Sequence, residues 1–487
     1  MISPDTILIN KNSTTPVYLQ ISNSIISKIQ EGIIKPGSKM PPTRELSALL
    51  HVHRKTIVNA YNELDAQGWI FSNSTKGTFV NTHLPNIKPQ KWGAAGHNTP
   101  SDLSPGFSLK INSIIRTPSR TYRELIGFHD GPDVRLVPIA ELARAFKSII
   151  SRKSWLHHLS YVDVQGDIDL RTVLAEHLNS TRGLQTTAHN IFISRGSQMG
   201  IYLAARILIS AGDNVIVGSP NYYYADKTLL YCGANLLRVI VESDGISVDE
   251  IEKLCKKKKI RAIYITSHHH YPTTVTLSAS KRMKLLVLAE QYRFIIIEDD
   301  YDYDFHYESN PILPLASADK NGMVIYIGTL SKTVAPSLRI GYVAASAELI
   351  NEFSKLRQII DVQGDPVMEK AVAEMFAFGE MRRHMKKALK EYHLRRDFTC
   401  NLLKDKLSDV IDFKVPEGGL AIWAQFDKKV PLPELSAKML NKGFILSKGL
   451  IHNNGEKKLN CTRLGFGWMN SDEAERAVKV MYDCIKK

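Results

Sequence analysis

The sequence predicts an α/β protein in two parts: an N-terminal winged helix-turn-helix, then a large domain with a mostly parallel sheet, helices on both faces and a smaller C-terminal α+β subdomain. Length is the first reason, since 487 residues exceed what one hydrophobic core organises. The second is a change of pattern, from short amphipathic stretches before residue 80 to apolar runs alternating with helical segments after residue 121. The third is the stretch between them, rich in proline, glycine and polar residues and without a sustained period. The expected boundaries are a small module at 11–80, a linker at 81–120 and the large domain at 121–487.

In the first module Leu19, Ile21, Ile25 and Ile29 recur at helical spacing over 16–31, and Gly32 is the stop. Residues 35–42 form a rigid turn whose prolines cannot continue a helix. Thr43 is placed to cap a second helix holding Leu46, Leu49 and Leu50. A third helix starts near His53, with Ile57, Tyr61 and Leu64 on one face and Arg54, Lys55, Asn59 and Asn62 on the other. Residues 69–71 and 78–80 are strand candidates joined by a polar turn, which makes a hairpin wing.

In the large domain the strand candidates are 190–194, 214–217, 236–241, 262–266, 294–298, 324–328 and 340–344. Several are continuous apolar runs, as expected of strands buried on both faces. Helical segments such as 197–209 and 278–292 separate most of them. The last quarter predicts helices across 366–410, a strand near Ile422 and a strand-helix pair at 463–485. The lysine run 256–259 reads as a solvated helix end.

Composition narrows the class. With 44% hydrophobic and 23% charged residues the chain is ordinary for a globular protein. The net charge of +14 is compatible with a polyanion partner, yet residues 1–80 hold eight Lys/Arg against five acids and supply little of it. Five scattered cysteines, none in C-x-x-C, argue against a disulfide framework or a zinc site and fit a reducing cytoplasm. The start, Met-Ile-Ser-Pro-Asp, lacks the pattern of a signal peptide. No apolar run approaches the roughly 20 residues of a membrane span. A cytoplasmic protein without a membrane partner is expected.

The chemistry concentrates late in the chain. Thr329, Ser331, Lys332 and Arg339 follow the apolar run 324–327, placing a lysine between hydroxyls and ahead of an arginine. A lysine so held suits a Schiff base with the aldehyde of pyridoxal 5′-phosphate, with Thr329, Ser331 and Arg339 on the phosphate. Asp299 and Tyr301, at a strand end, suit the pyridine nitrogen and the phenolic oxygen of the cofactor. Gly196, Ser197 and Gln198 open a helix after a strand, where a phosphate or a simple helix cap fits equally. Tyr222 offers a ring for a flat cofactor, or for an aromatic core cluster. The ordered conjunction, not any member alone, makes the site.

The stretch 16–80 resembles the winged helix of GntR-family bacterial regulators, through Pro16, Tyr18, Gln20, Pro36-Gly37, the run Pro41 to Leu46, Thr56, Tyr61, Leu64 and the run Gly77 to Val80. The resemblance implies that the third helix enters the major groove of double-stranded operator DNA and the wing tip touches the minor groove. Arg44, Arg54, Lys55, Thr56 and Lys76 are then the contact candidates. The large domain resembles a fold-type I aminotransferase, with further matches at Gly166, Leu170-Arg171, Arg182-Gly183-Leu184 and Arg463 to Phe466. That likeness implies that Arg463 binds the α-carboxylate of an amino acid; a structural salt bridge is its other reading.

Together the halves resemble the MocR branch of GntR regulators, which are pyridoxal-phosphate-dependent and usually head-to-tail homodimers. The resemblance implies a regulator that senses an amine or amino acid through an aldimine on Lys332. Alternatives are an active aminotransferase (a transaminase) with a secondary DNA module, and a regulator of vitamin B6 synthesis that senses the cofactor itself. Departures occur at 268–274, where Tyr271 and Thr274 replace the asparagine and glycine of Asn-Pro-Thr-Gly, which bears on the usual cofactor O3′ contact and on turnover. The triple histidine 268–270 is not expected to bind metal, because neighbours on an extended segment point to opposite faces.

Overall fold

The computed structural model describes residues 7, 9–10, 13–73, 75–84, 107–108, 125–152, 156, 160–308, 312–453 and 459–486. The chain divides into two compact units, 1–110 and 111–487. Of the expected linker, residues 85–106 and 109–120 lie outside the described residues.

In the first unit α1 (Val17–Gln30), α2 (Thr43–Leu49) and α3 (Arg54–Ala66) precede β1 (Ile70–Asn73) and β2 (Gly77–Val80). The hairpin pairs antiparallel from Ile70–Val80 to Asn73–Gly77. The helical spacing sends Ile21, Ile25, Leu46, Ile57 and Leu64 into one core, while Arg54, Lys55, Asn59 and Asn62 stay exposed on the opposite face of α3. The Tyr61 hydroxyl donates to the Pro41 carbonyl at 2.7 Å and ties α3 to the proline turn. Thr43 does not cap α2 as expected: it is already helical, and Pro42 holds the cap position without a side-chain bond. The fixed φ of proline sets the helix entry one residue earlier.

The second unit opens with β3 (Ile126–Gly127) and builds an eight-stranded sheet from β4 (Ile191–Ser194), β5 (Asn214–Ser219), β6 (Asn235–Glu242), β7 (Gly245–Ile246), β8 (Ile260–Ile265), β9 (Ile295–Asp300), β10 (Val324–Thr329) and β11 (Gly341–Ala344). Their order is β4-β11-β10-β9-β8-β5-β6-β7. The pairs from β10 across to β6 are parallel. β11 runs against both β10 and β4, and β7 against β6. Two-sided burial explains the apolar runs. Ile296 packs with Leu285 and Leu286 of the helix Ala279–Tyr292, whereas Ile297 joins Ile201 and Phe353 of the helices Ser197–Leu208 and Ala347–Ile360.

The C-terminal subdomain pairs β12 (Ile411–Asp412), β13 (Ala421–Phe426) and β15 (Cys461–Gly465) antiparallel. The helices Glu380–Leu407 and Ser471–Lys486 pack against that sheet. β14 (Phe444–Ile445) pairs parallel with β3, a contact too short to leave a period in the sequence. This pairing brings the chain after β3 onto β15, where Gly465 packs directly on the His129 carbonyl. Among the described residues no helix is long and apolar enough to cross a membrane.

Leu46 is fully enclosed between the three helices of the first unit. Leu46→Ala should therefore destabilise that unit by about 2–5 kcal/mol, through lost burial and the cavity left behind. The effect is read as lost amide-exchange protection along α3 in the full chain.

Candidate functional site

The strands of the large sheet end at a cavity of about 950 Å³. β4 leads through Gly196 to Ser197 and Gln198, β5 to Tyr222, and β8 to Thr266 and Tyr271. β9 delivers Asp299 and Tyr301, and β10 delivers Thr329, Ser331 and Lys332. Arg339 follows β10, as expected, and stands just before β11; because β11 runs backwards, its start lies at the same edge. All the cofactor candidates line this cavity except Gly196, which lies beneath Arg339. Gly196 has φ +77°, a conformation that calls for glycine, and a Cβ there would push the Arg339 guanidinium, 2.5 Å away, out of its place.

Several polar atoms at the cavity are buried without a hydrogen-bond partner among the described residues. Asp299 accepts from the Tyr264 hydroxyl at 2.7 Å through Oδ2, while its Oδ1 is buried with no partner among the described residues. Burial pushes the Asp299 carboxyl up to about 7, against the lowering effect of the Tyr264 bond. A pyridinium N–H at Oδ1 would satisfy that oxygen and favour the ionised carboxylate. Ser331 Oγ and Gln198 Oε1 are likewise buried without partners. Gln198 is steadied by its amide donating to Thr228 Oγ1 at 2.8 Å. Thr329 Oγ1 accepts from the Ser331 N–H at 3.1 Å, which shapes the turn before Lys332. With the N-terminus of the helix Ser197–Leu208, exposed Arg339 and a ring at Tyr222, the donor set fits the phosphate and pyridine ends of pyridoxal phosphate. The Tyr301 hydroxyl, expected toward the cofactor, donates to the His269 carbonyl at 3.0 Å.

Arg463, on β15, is buried and meets the cavity lining through Asp130. Its guanidinium grips Asp130 with both arms, at 2.8 and 3.1 Å, and lies 4.6 Å from the centre of the Tyr271 ring. The Lys332 ammonium donates to the Asp130 carbonyl oxygen at 3.0 Å. Burial alone would raise the Asp130 carboxyl, but the Arg463 and Lys332 charges hold it down at about 2. Sequence reading missed Asp130, which lies 333 residues from its partner and carries no motif. Tyr264 was also missed; a tyrosine inside an apolar strand was the available signal, since its hydroxyl needs a buried partner.

The segment 268–274 departs from expectation. The chain bends at His268 and His269, so their rings lie 4.7 Å apart instead of on opposite faces. Thr274 adopts φ +62°, the conformation of the glycine it replaces, and the turn closes by Thr274 N–H to His270 O at 2.7 Å. The turn is kept at a local strain of about 1–3 kcal/mol.

On the first unit, Arg44, Arg54, Lys55 and Lys76 are exposed and Thr56 is half-buried. Arg54 and Lys55 occupy the first turn of α3, where the His53 ring accepts the Lys55 N–H at 3.2 Å. At the wing tip Asn73 Oδ1 accepts from the backbone of Thr75 and Lys76.

Residues 133–481 match the family described as aminotransferase class I and II, and residues 17–80 match the bacterial regulatory proteins of the gntR family. The chain is 27% identical to the probable rhizopine catabolism regulatory protein MocR of Rhizobium meliloti, over 87% of this chain and 84% of that protein. It is 27% identical to the uncharacterized HTH-type transcriptional regulator YdfD of Bacillus subtilis, over 98% of each. Among solved structures it resembles the kynurenine aminotransferase of Pyrococcus horikoshii, with a TM-score of 0.70 at 25% identity, covering 75% of this chain and 91% of that one. The fold and family identify pyridoxal phosphate as the cofactor of the large domain. The chain belongs to the class I and II aminotransferase family and, with its gntR-family helix-turn-helix, to the MocR subfamily of GntR transcriptional regulators.

Proposed function

We propose that this regulator answers to an amine bearing a carboxylate, an amino acid above all, taken up beside Lys332, and transmits the event to operator DNA through residues 11–80. The observation that carries the reading is the Asp130 carboxylate on Arg463. The Asp130 carboxylate, from the cavity lining, sits on buried Arg463, which matches the family's α-carboxylate position, and the Asp130 carbonyl holds Lys332. Both readings of Arg463 from the sequence then meet: it is a salt bridge now, and an effector carboxylate would compete for it.

Pyridoxal phosphate supplies an aldehyde carbon able to form an imine with an amine, and Lys332 is the residue proposed to hold it covalently. Ser197, Thr329, Ser331 and Arg339 would bind the phosphate, Asp299 the ring nitrogen, and Tyr222 the ring face. Gln198 and Tyr301 would complete the walls. Displacing Asp130 frees the segment after β3, which is the end of the large unit joined through residues 81–120 to the DNA-binding unit. Effector binding biases DNA affinity only as far as the two conformations bind effector differently. A head-to-tail homodimer in the cytoplasm completes the proposal, on the likeness to the MocR branch.

Lys332→Ala should abolish covalent cofactor attachment and leave the fold intact. Borohydride reduction and peptide mapping should label Lys332 in the wild type; a label on another lysine sinks the assignment. Arg54→Ala with Lys55→Ala should weaken operator binding and leave the cofactor spectrum alone. The log–log salt slope should flatten by roughly one unit per phosphate contact removed. Unchanged affinity would remove α3 as the reading head.

Arg463→Ala should weaken the effector response about tenfold to a hundredfold, as a charge-assisted bond worth about 1.5–3 kcal/mol is lost. Asp130→Asn should act oppositely and tighten it, because the internal competitor loses its charge. Asp130 is ionised at every pH above about 2, so this competition should be flat across neutral pH. Effector titrations on operator DNA measure all three. Identical curves for both variants and wild type would favour sensing of the cofactor itself, and repeated turnover with a 2-oxo acid would mark an aminotransferase.

A further inference from the structure

Outside the cofactor cavity, three imidazoles converge behind its wall. His268 and His269 are almost fully buried and His306 is half-buried. One ring nitrogen of each lies within 4.8 Å of those of the other two. Their ring centres are 4.7, 5.6 and 6.0 Å apart. Three imidazoles on one tetrahedral ion, at a metal–nitrogen distance of about 2.0–2.1 Å, place their centres roughly 5 Å apart. The spacing therefore needs only small ring rotations to close on an ion.

The hydrogen bonding points the same way. His269 Nδ1 pairs with Asp302 Oδ1 at 2.9 Å, which orients the ring and leaves Nε2 with no partner among the described residues. Both nitrogens of His268 and both of His306 are buried and unpartnered as well. A buried polar atom without a partner is costly, and five on three adjacent rings call for a shared one. A carboxylate behind one imidazole is the usual support of a metal-bound histidine. The Gly418 backbone packs close to the His269 ring, where any side chain would collide with it. The bland alternative is an aromatic cluster, since the Tyr303 ring lies 4.6 Å from His268. Packing alone, however, does not explain five orphaned nitrogens.

We propose that His268, His269 and His306 form a site for a divalent transition metal, zinc foremost, with Asp302 as the positioning residue of His269 and a water in the fourth position. Neutral nitrogen ligands suit zinc, cobalt, nickel and copper and disfavour magnesium and calcium. The ion would join the segment after β8 to the segment after β9. Those segments carry Tyr271 and Tyr301 into the cofactor cavity, and the His269 carbonyl already accepts the Tyr301 hydroxyl. Bound metal would thus stiffen two walls of the effector site without touching the cofactor.

The test uses the full chain, cofactor-loaded and stripped with a chelator. Titration with Co²⁺ should give the d–d absorption of a low-coordinate nitrogen site, displaced by Zn²⁺ at one ion per chain. His306→Gln should weaken Zn²⁺ binding on the order of a hundredfold or more, and Asp302→Asn about tenfold to a hundredfold. An unchanged cofactor spectrum reports that each variant is folded. No stoichiometric metal in the wild type, or equal affinity in a folded His306→Gln, overturns the site and leaves an aromatic cluster. If that variant does not fold, X-ray absorption of Zn²⁺ on the wild type decides. A shell of three imidazole nitrogens supports the proposal; sulfur or all-oxygen ligation overturns it.

Discussion

Because helices cover both faces of the eight-stranded sheet, its strands carry apolar side chains along their length and polar ones gather where the strands stop. That constraint makes the cavity. Asp299, Thr329 and the residues after β4, β5 and β8 stand at or shortly past the ends of buried strands, so they meet at one edge. The antiparallel β11 obeys the same rule in reverse and supplies Arg339 from its start.

The second constraint is the seam between the sheet domain and the C-terminal subdomain. The two-residue pairing of β3 with β14 is small, yet it lays Asp130 over β15, within reach of both Arg463 and Lys332. A buried guanidinium without a carboxylate would be strongly disfavoured, so Asp130 keeps Arg463 paired inside the fold. The other arginines that matched the aminotransferase pattern serve the scaffold: Arg182 pairs with Asp304 at 3.0 Å and donates through Nε to the Tyr326 hydroxyl oxygen at 2.9 Å. Arg171 ties the start of its helix to the Gly166 carbonyl.

The DNA-binding unit depends on a simpler division. One face of α3 is used up in the core, and the other, with Arg54, Lys55, Asn59 and Asn62, is exposed and open to a ligand outside the chain; Arg54 Nε also donates to Thr43 Oγ1 at 3.5 Å. An exposed basic turn backed by a rigid core is what phosphate recognition needs.

The chain by itself determined the two-part architecture, the strands and helices of the sheet domain, and about half of the cavity lining, the segment 129–134 and Trp468 being among the residues it did not reveal. Those features rest on periodicity and on short motifs at strand ends, which are local properties of sequence. Tertiary structure alone decided the direction of β11, the reach of Asp130 to Arg463, the partner of Asp299 and the bend that turns His268 and His269 toward His306. Each of these is a contact between segments far apart in the chain, or a turn set by what packs around it, and neither leaves a repeat that one sequence can display.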